Sequence, residues 1–101
     1  MIYVYRIKNN LTGTYFPGYE FDKDEPESYF RRNQEGILMH PENYLKADLH
    51  LCKIEYIGIL DQQTGFIKPA DEILEFDLQT AYQQRMAIEE GVKNGKAAQG
   101  N

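Results

Sequence analysis

One stretch constrains this chain more than any other. Residues Leu49 to Lys68 read as a strand, a tight turn and a returning strand, with Leu51, Ile54, Tyr56, Ile57, Ile59, Leu60, Phe66 and Ile67 supplying dense apolar content. Asp61 can close the turn with its carboxylate, and Gly65 can take the positive φ that a four- or five-residue hairpin loop needs. The same punctuation occurs earlier: Asn9-Asn10-Leu11-Thr12-Gly13 matches Asp61-Gln62-Gln63-Thr64-Gly65 as [ND]-x-x-T-G followed by apolar residues. The flanking segments do not match, so the repetition is of turn chemistry rather than of a duplicated unit.

Around this hairpin the remaining elements fall into order. Ile2 to Ile7 is β-branched and aromatic and reads as a first strand, and Thr14-Tyr15-Phe16 begins its partner, which Pro17-Gly18 ends. Asp24 can cap a helix with Pro26 in its first turn and Glu27 three residues on; Gly36 is placed to end it. His40-Pro41 is a further break. Leu49 and Leu51 fall on one face of the long strand and Cys52, Ile54 and Tyr56 on the other, so a bulge is expected near Cys52-Lys53. After Pro69, Ile73 to Phe76 reads as a short strand or extended arm. Asp77 can cap a second helix over residues 78–90 with a thin apolar stripe of Leu78, Ala81, Tyr82 and Met86. From Gly91 the sequence is polar and glycine-spotted, which predicts a disordered tail over 91–101. The expected architecture is α+β: a mainly antiparallel sheet of four to five strands built from two hairpins, with two helices, in one domain over 1–90.

Chemistry is sparse. The chain has 101 residues and a net charge of −5, which repels nucleic acid and anionic membrane over the surface as a whole and leaves a local basic patch or a basic partner as the two routes to an interaction. Cys52 is the single cysteine and reads as a buried structural thiol. With no long apolar run, the expected location is the cytoplasm. His40, His50 and Cys52 are the only soft ligands, with His50 and Cys52 on one strand face, too few for a four-coordinate metal site. No glycine-rich phosphate loop, GxSxG or HExxH occurs, and no nucleophile has an evident base and orienting group. No catalytic residue, metal or cofactor is therefore assigned, and the chain is read as a non-enzyme.

Basic residues do lie beside aromatics: Tyr5, Arg6 and Lys8 (with Tyr3) on the first strand, and Tyr29, Arg31 and Arg32 (with Phe30) on the first helix. Tyr15, Phe16 and Tyr19 follow on the second strand and loop. Single-stranded nucleic acid is held by this mixture, bases stacking on rings and phosphates meeting cations. The candidate nucleic-acid-binding residues are Arg31, Arg32, Tyr29, Arg6, Lys8 and Tyr5. The competing route places Glu20, Asp22, Asp24, Glu25 and Glu27 on one acidic face that blocks the nucleic-acid site of a basic host protein.

The motif His40-Pro-Glu-Asn-Tyr44, the pattern Ile57-Gly58-x-x-Asp61-x-x-Thr64-Gly65 and the opening Ile2-Tyr3-x-Tyr5 resemble the small nonstructural protein of gokushovirus-like microviruses, tailless bacteriophages with single-stranded DNA genomes. The resemblance spans roughly residues 1–70; the interval from Tyr44 to Gly58 is longer than in that family, and the helix after Asp77 has no counterpart there. It implies a phage accessory protein in the host bacterial cytoplasm, engaging single-stranded DNA or the viral replication and packaging machinery. It implies no catalytic residue.

Overall fold

The computed structural model describes the backbone of residues 1–99 and the side chains of residues 1–91. Four strands, β1 (Ile2–Asn9), β2 (Glu20–Asp22), β3 (Cys52–Leu60) and β4 (Ile67–Asp77), form one antiparallel sheet in the order β2-β1-β3-β4. Helices α1 (Pro26–Met39) and α2 (Leu78–Gln99) complete the α+β fold, with two short 3-10 turns at Pro41–Tyr44 and Lys46–Leu51.

Both hairpin turns form as their sequences dictate. Asn9 and Asp61 each accept, on a side-chain oxygen, the amides two and three residues on: 2.8 and 3.2 Å at Asn9, 2.9 and 3.3 Å at Asp61. Gly13 and Gly65 sit at φ 72° and 78°, and each donates its amide to the carbonyl that opens its turn. That left-handed conformation costs an L-residue about 1 kcal/mol or more.

The core lies on one face of the sheet. Tyr5, Cys52 and Ile54 point from β1 and β3 toward Tyr29 and Ile37 of α1 and Leu78 and Ala81 of α2. Tyr5 and Tyr29 stack with centroids 3.9 Å apart, and Phe30 stacks on Phe76 at 5.7 Å. The Tyr5 hydroxyl, carried into this apolar layer, donates to the Asp24 carbonyl at 2.6 Å, so burial leaves no unpaired polar atom there.

Several boundaries differ from the sequence reading. Helix α1 continues through Gly36 to Met39, because Ile37 is fully buried in the core and holds the last turn in place. Gly36 serves packing: a Cβ there would lie 2.6 Å from the Tyr44 hydroxyl, which reaches Asn33 at 3.0 Å. The His40-to-Tyr44 motif thus clamps the end of α1. Glu25, not Asp24, is the N-cap residue, and it makes no side-chain cap bond; Asp24 is turned toward Arg32 instead. Leu49 to Leu51 belong to the 3-10 turn before β3, so His50 and Cys52 do not share a strand face. The bulges fall at Val4/Tyr5 and at Tyr56/Gly58, not near Cys52. β4 is one long edge strand whose residues 70–73 bow out opposite the single Ile57. The backbone of α2 runs past Gly91 to Gln99; from residue 92, the side chains of the expected tail lie outside the described residues.

Candidate nucleic-acid interface

Strand geometry sorts the six sequence-derived candidates into three places. Successive side chains point to opposite faces, so Tyr5 goes to the core and Arg6 and Lys8 to the open face. Tyr5 is fully buried and Tyr29 is 9% exposed. Their rings stack on each other and present no face to a base, which corrects their candidacy as stacking residues. Burial, followed by the neighbouring Glu20 and Asp22 charges, pushes the Tyr29 phenol up to about 12. Desolvation, then Tyr29, raises Tyr5 as well.

Arg31 and Arg32 lie on α1, on the helix side, away from Arg6 and Lys8. Arg32 is committed to Asp22 at 2.7 Å and Asp24 at 2.8 Å, with its guanidinium 5.2 Å from the Tyr29 ring centroid. Burial raises the Asp22 carboxyl, but the Asp24 amide and Arg32 outweigh it and leave it below the usual carboxylate range. This arrangement also interrupts the expected acidic row, since Arg32 pairs with two of its five members and offsets one of their two charges. Arg31 is exposed and makes only a long 3.5 Å contact with the Ser28 hydroxyl.

The open face of β1 gathers a different set. Arg6 reaches the Glu55 carboxylate at 2.5 Å, and its guanidinium lies 4.4 Å from the Tyr15 ring centroid. Lys8, cross-strand from Tyr15, places its ammonium 5.4 Å from the same ring and has no carboxylate partner among the described residues. Lys53 spans Glu55 at 3.5 Å and Glu75 at 2.7 Å. Glu55 is 5% exposed. Burial raises its pKa, yet hydrogen bonds from Arg6 and Tyr15, with the Arg6 and Lys53 charges, hold it below the usual range. The result is a fixed lattice of three cations and two carboxylates on an otherwise acidic protein.

Beside this lattice are the rings that the sequence reading left out of the site. Phe21 pairs with Val4 across the strands, so it shares the open face with Arg6 and Lys8. Tyr15, Tyr19 and Phe21 are 43%, 50% and 51% exposed. Tyr19 and Phe21 meet edge to face at 6.5 Å. Arg6, Tyr15, Phe16, Gly18 and Tyr19 line a hollow of about 340 Å³. The signal that could have found this set is the period-two alternation of β1, which separates Tyr5 from Arg6 and aligns Arg6 with Lys8.

Among the described residues, the Cys52 thiol and the His50 ring lie away from this face. Cys52 is fully buried, donates to the Asp48 carbonyl at 3.2 Å, and has its thiol pKa raised by burial and then by Asp48. His50 packs against Tyr82 at 5.2 Å. Among the described residues no three His, Cys, Asp or Glu side chains cluster to hold a metal, and no helix is long and apolar enough to cross a membrane. No family model, curated protein or solved structure matches the chain.

Proposed function

We propose that the chain is a non-enzymatic accessory protein of a microvirus-like bacteriophage that holds single-stranded DNA on the open face of the β1–β2 hairpin. The observation that carries this reading is the exposed trio Tyr15, Tyr19 and Phe21 on the same face as Arg6 and Lys8, both of which lie over the Tyr15 ring. Rings of this kind stack bases without regard to sequence, and cations beside them meet the phosphates. Among the described residues no helix presents a basic face suited to a duplex groove, so single strands are favoured over double strands. Resemblance to the microvirus protein supplies the setting: viral DNA synthesis or packaging in the host cytoplasm, with a replication or packaging protein as the further partner. The rival reading, a carboxylate row that occludes a basic host protein, is weakened by Arg32, which occupies Asp22 and Asp24 and offsets one of their two charges.

Fluorescence anisotropy with a labelled oligothymidylate at low salt tests the proposal. Affinity should be micromolar or weaker, because the net charge of −5 opposes approach. If Arg6, Lys8 and Lys53 all meet phosphates, log K should fall against log salt with a slope of roughly −2, at about 0.7 per contact. Tyr19→Ala should weaken binding by about fivefold or more, the equivalent of a lost stacking contact of about 1 kcal/mol. Arg31→Ala should leave it unchanged. An absence of binding at high micromolar protein, or a larger loss from Arg31→Ala than from Tyr19→Ala, would sink the reading.

A further inference from the structure

A second hollow, of about 430 Å³, opens at the other hairpin, lined by Tyr56, Ile59, Lys68, Pro69, Ala70, Asp71 and Glu72. It exists because of the β4 bulge. Leu74 pairs with Tyr56 and Pro69 with Gly58, so residues 70–73 have only Ile57 opposite them and must bow away from the sheet. Asp71 and Glu72 of this bowed segment line the hollow together with Tyr56 and Ile59 of β3.

The chemistry of the lining is specific. Tyr56 is braced by tilted contacts with Tyr3 at 6.2 Å and Tyr5 at 5.8 Å, so its ring is held in one orientation. Burial first, then Tyr3 and the Asp71 charge, raise its phenol pKa. Asp71 and Glu72 have no ion-pair partner among the described residues, although Lys68 lines the same hollow. Glu55 and Glu75, on the neighbouring part of the sheet, by contrast pair with Arg6 and Lys53. A neutral aromatic ring, an apolar Ile59 and two carboxylates that outnumber the single Lys68 cation together suit a planar cation on an apolar stem.

We infer that this hollow receives an arginine side chain from a basic segment of a protein partner, its guanidinium lying on Tyr56 and pairing with Asp71 and Glu72. Arginine is favoured over lysine because a planar guanidinium stacks on a ring and pairs with carboxylates at once. Lys68 sets a limit on affinity, since it shares the hollow with the incoming charge. The inference does not depend on DNA binding: the hollow lies by the β4 edge, on the core-bearing face of the sheet, whereas the cation–ring patch lies on the open face by β2.

A fluorescein-labelled oligo-arginine peptide provides the probe, titrated with the full chain and followed by anisotropy. Saturable binding is expected, weakened about tenfold by Asp71→Asn combined with Glu72→Gln. Oligo-lysine of the same length should bind more weakly than oligo-arginine. The control removes equal charge at the opposite edge of the sheet: Glu25→Gln with Glu27→Gln should change binding less than twofold. Equal weakening by the two double variants would show diffuse attraction to an acidic protein and overturn the site, as would a lack of saturable binding. A double variant at Asp71 and Glu72 that binds as tightly as the parent chain would overturn it too.

Discussion

The two hairpins share a turn and little else. At Asn9–Gly13 and Asp61–Gly65 the same side-chain acceptor, the same left-handed glycine and the same closing amide recur, with matching hydrogen bonds. Beyond the first turn, Pro17-Gly18 interrupts the returning strand after the isolated Lys8–Tyr15 bridge, and pairing resumes only for Glu20–Asp22. Beyond the second, β4 continues for eleven residues, absorbing Pro69 because an edge strand can spare an amide. The short return leaves Tyr15, Tyr19 and Phe21 exposed over β1; the long one buckles and opens a hollow lined by carboxylates. A turn motif therefore specifies the reversal, and the residues after it decide what surface the reversal presents.

The largest expected effect separates the hairpins at a glycine that only the second one requires. A Cβ at Gly58 would overlap the Lys68 backbone carbonyl across the β3–β4 pair, and backbone cannot swing aside as a side chain can. Gly58→Val should cost about 3 kcal/mol or abolish folding, read as a lowered urea midpoint. A variant of parental stability would show that the two strands are not so closely apposed.

A middling effect tests the link between the hairpins. Glu55, on β3, ties Arg6 of the first hairpin to Lys53 of the second. Its folded pKa lies below the ordinary 4.5, so its ionised form adds stability above that value, and the contribution is lost as pH falls through the lower folded value. Glu55→Gln should destabilise at pH 7 by about 1–3 kcal/mol, since Arg6 loses its partner. The gap between parent and variant should begin to narrow below about pH 4.5, where the carboxylate of the unfolded chain is protonated, and shrink further as pH falls through the lower folded value. A gap that stays constant from pH 7 to pH 3 would mean that the charge of Glu55 plays no part.

The smallest effect sharpens the likeness of the turns. Gly13→Ala and Gly65→Ala meet open space, so each should lose only the left-handed conformational cost, about 1 kcal/mol, and the two losses should agree. Unequal losses in denaturant titrations would break the equivalence.

What could be read from the sequence follows the same division. Turns and the two-hairpin sheet were legible because Asn9, Asp61, Gly13 and Gly65 act locally. The end of α1 was not, because Gly36 resembles a stop signal until Tyr44 and buried Ile37 supply a tertiary reason to continue. The site was half legible. Arg6 and Lys8 do reach the open face, over the Tyr15 ring. Tyr5 and Tyr29 adjoin cations in the sequence, but alternation along β1 sends Tyr5 to the opposite face, into the core, where Tyr29 stacks on it. Arg32 could not be discounted from sequence, since its partners Asp22 and Asp24 come from β2 and the loop before α1.

Photocrosslinking tests the central claim most directly, because it reports which rings touch bases. Ultraviolet irradiation of the chain with a single-stranded oligonucleotide at low salt, followed by peptide mapping, should place adducts on Tyr15, Tyr19 or Phe21. Phe66, which is 76% exposed on the second hairpin but has no paired cation lattice around it, serves as the internal control and should stay unmodified. Adducts confined to residues 15–21 are the expected result; adducts at Phe66 or Tyr29, or none at all, would contradict a DNA-binding face on the first hairpin.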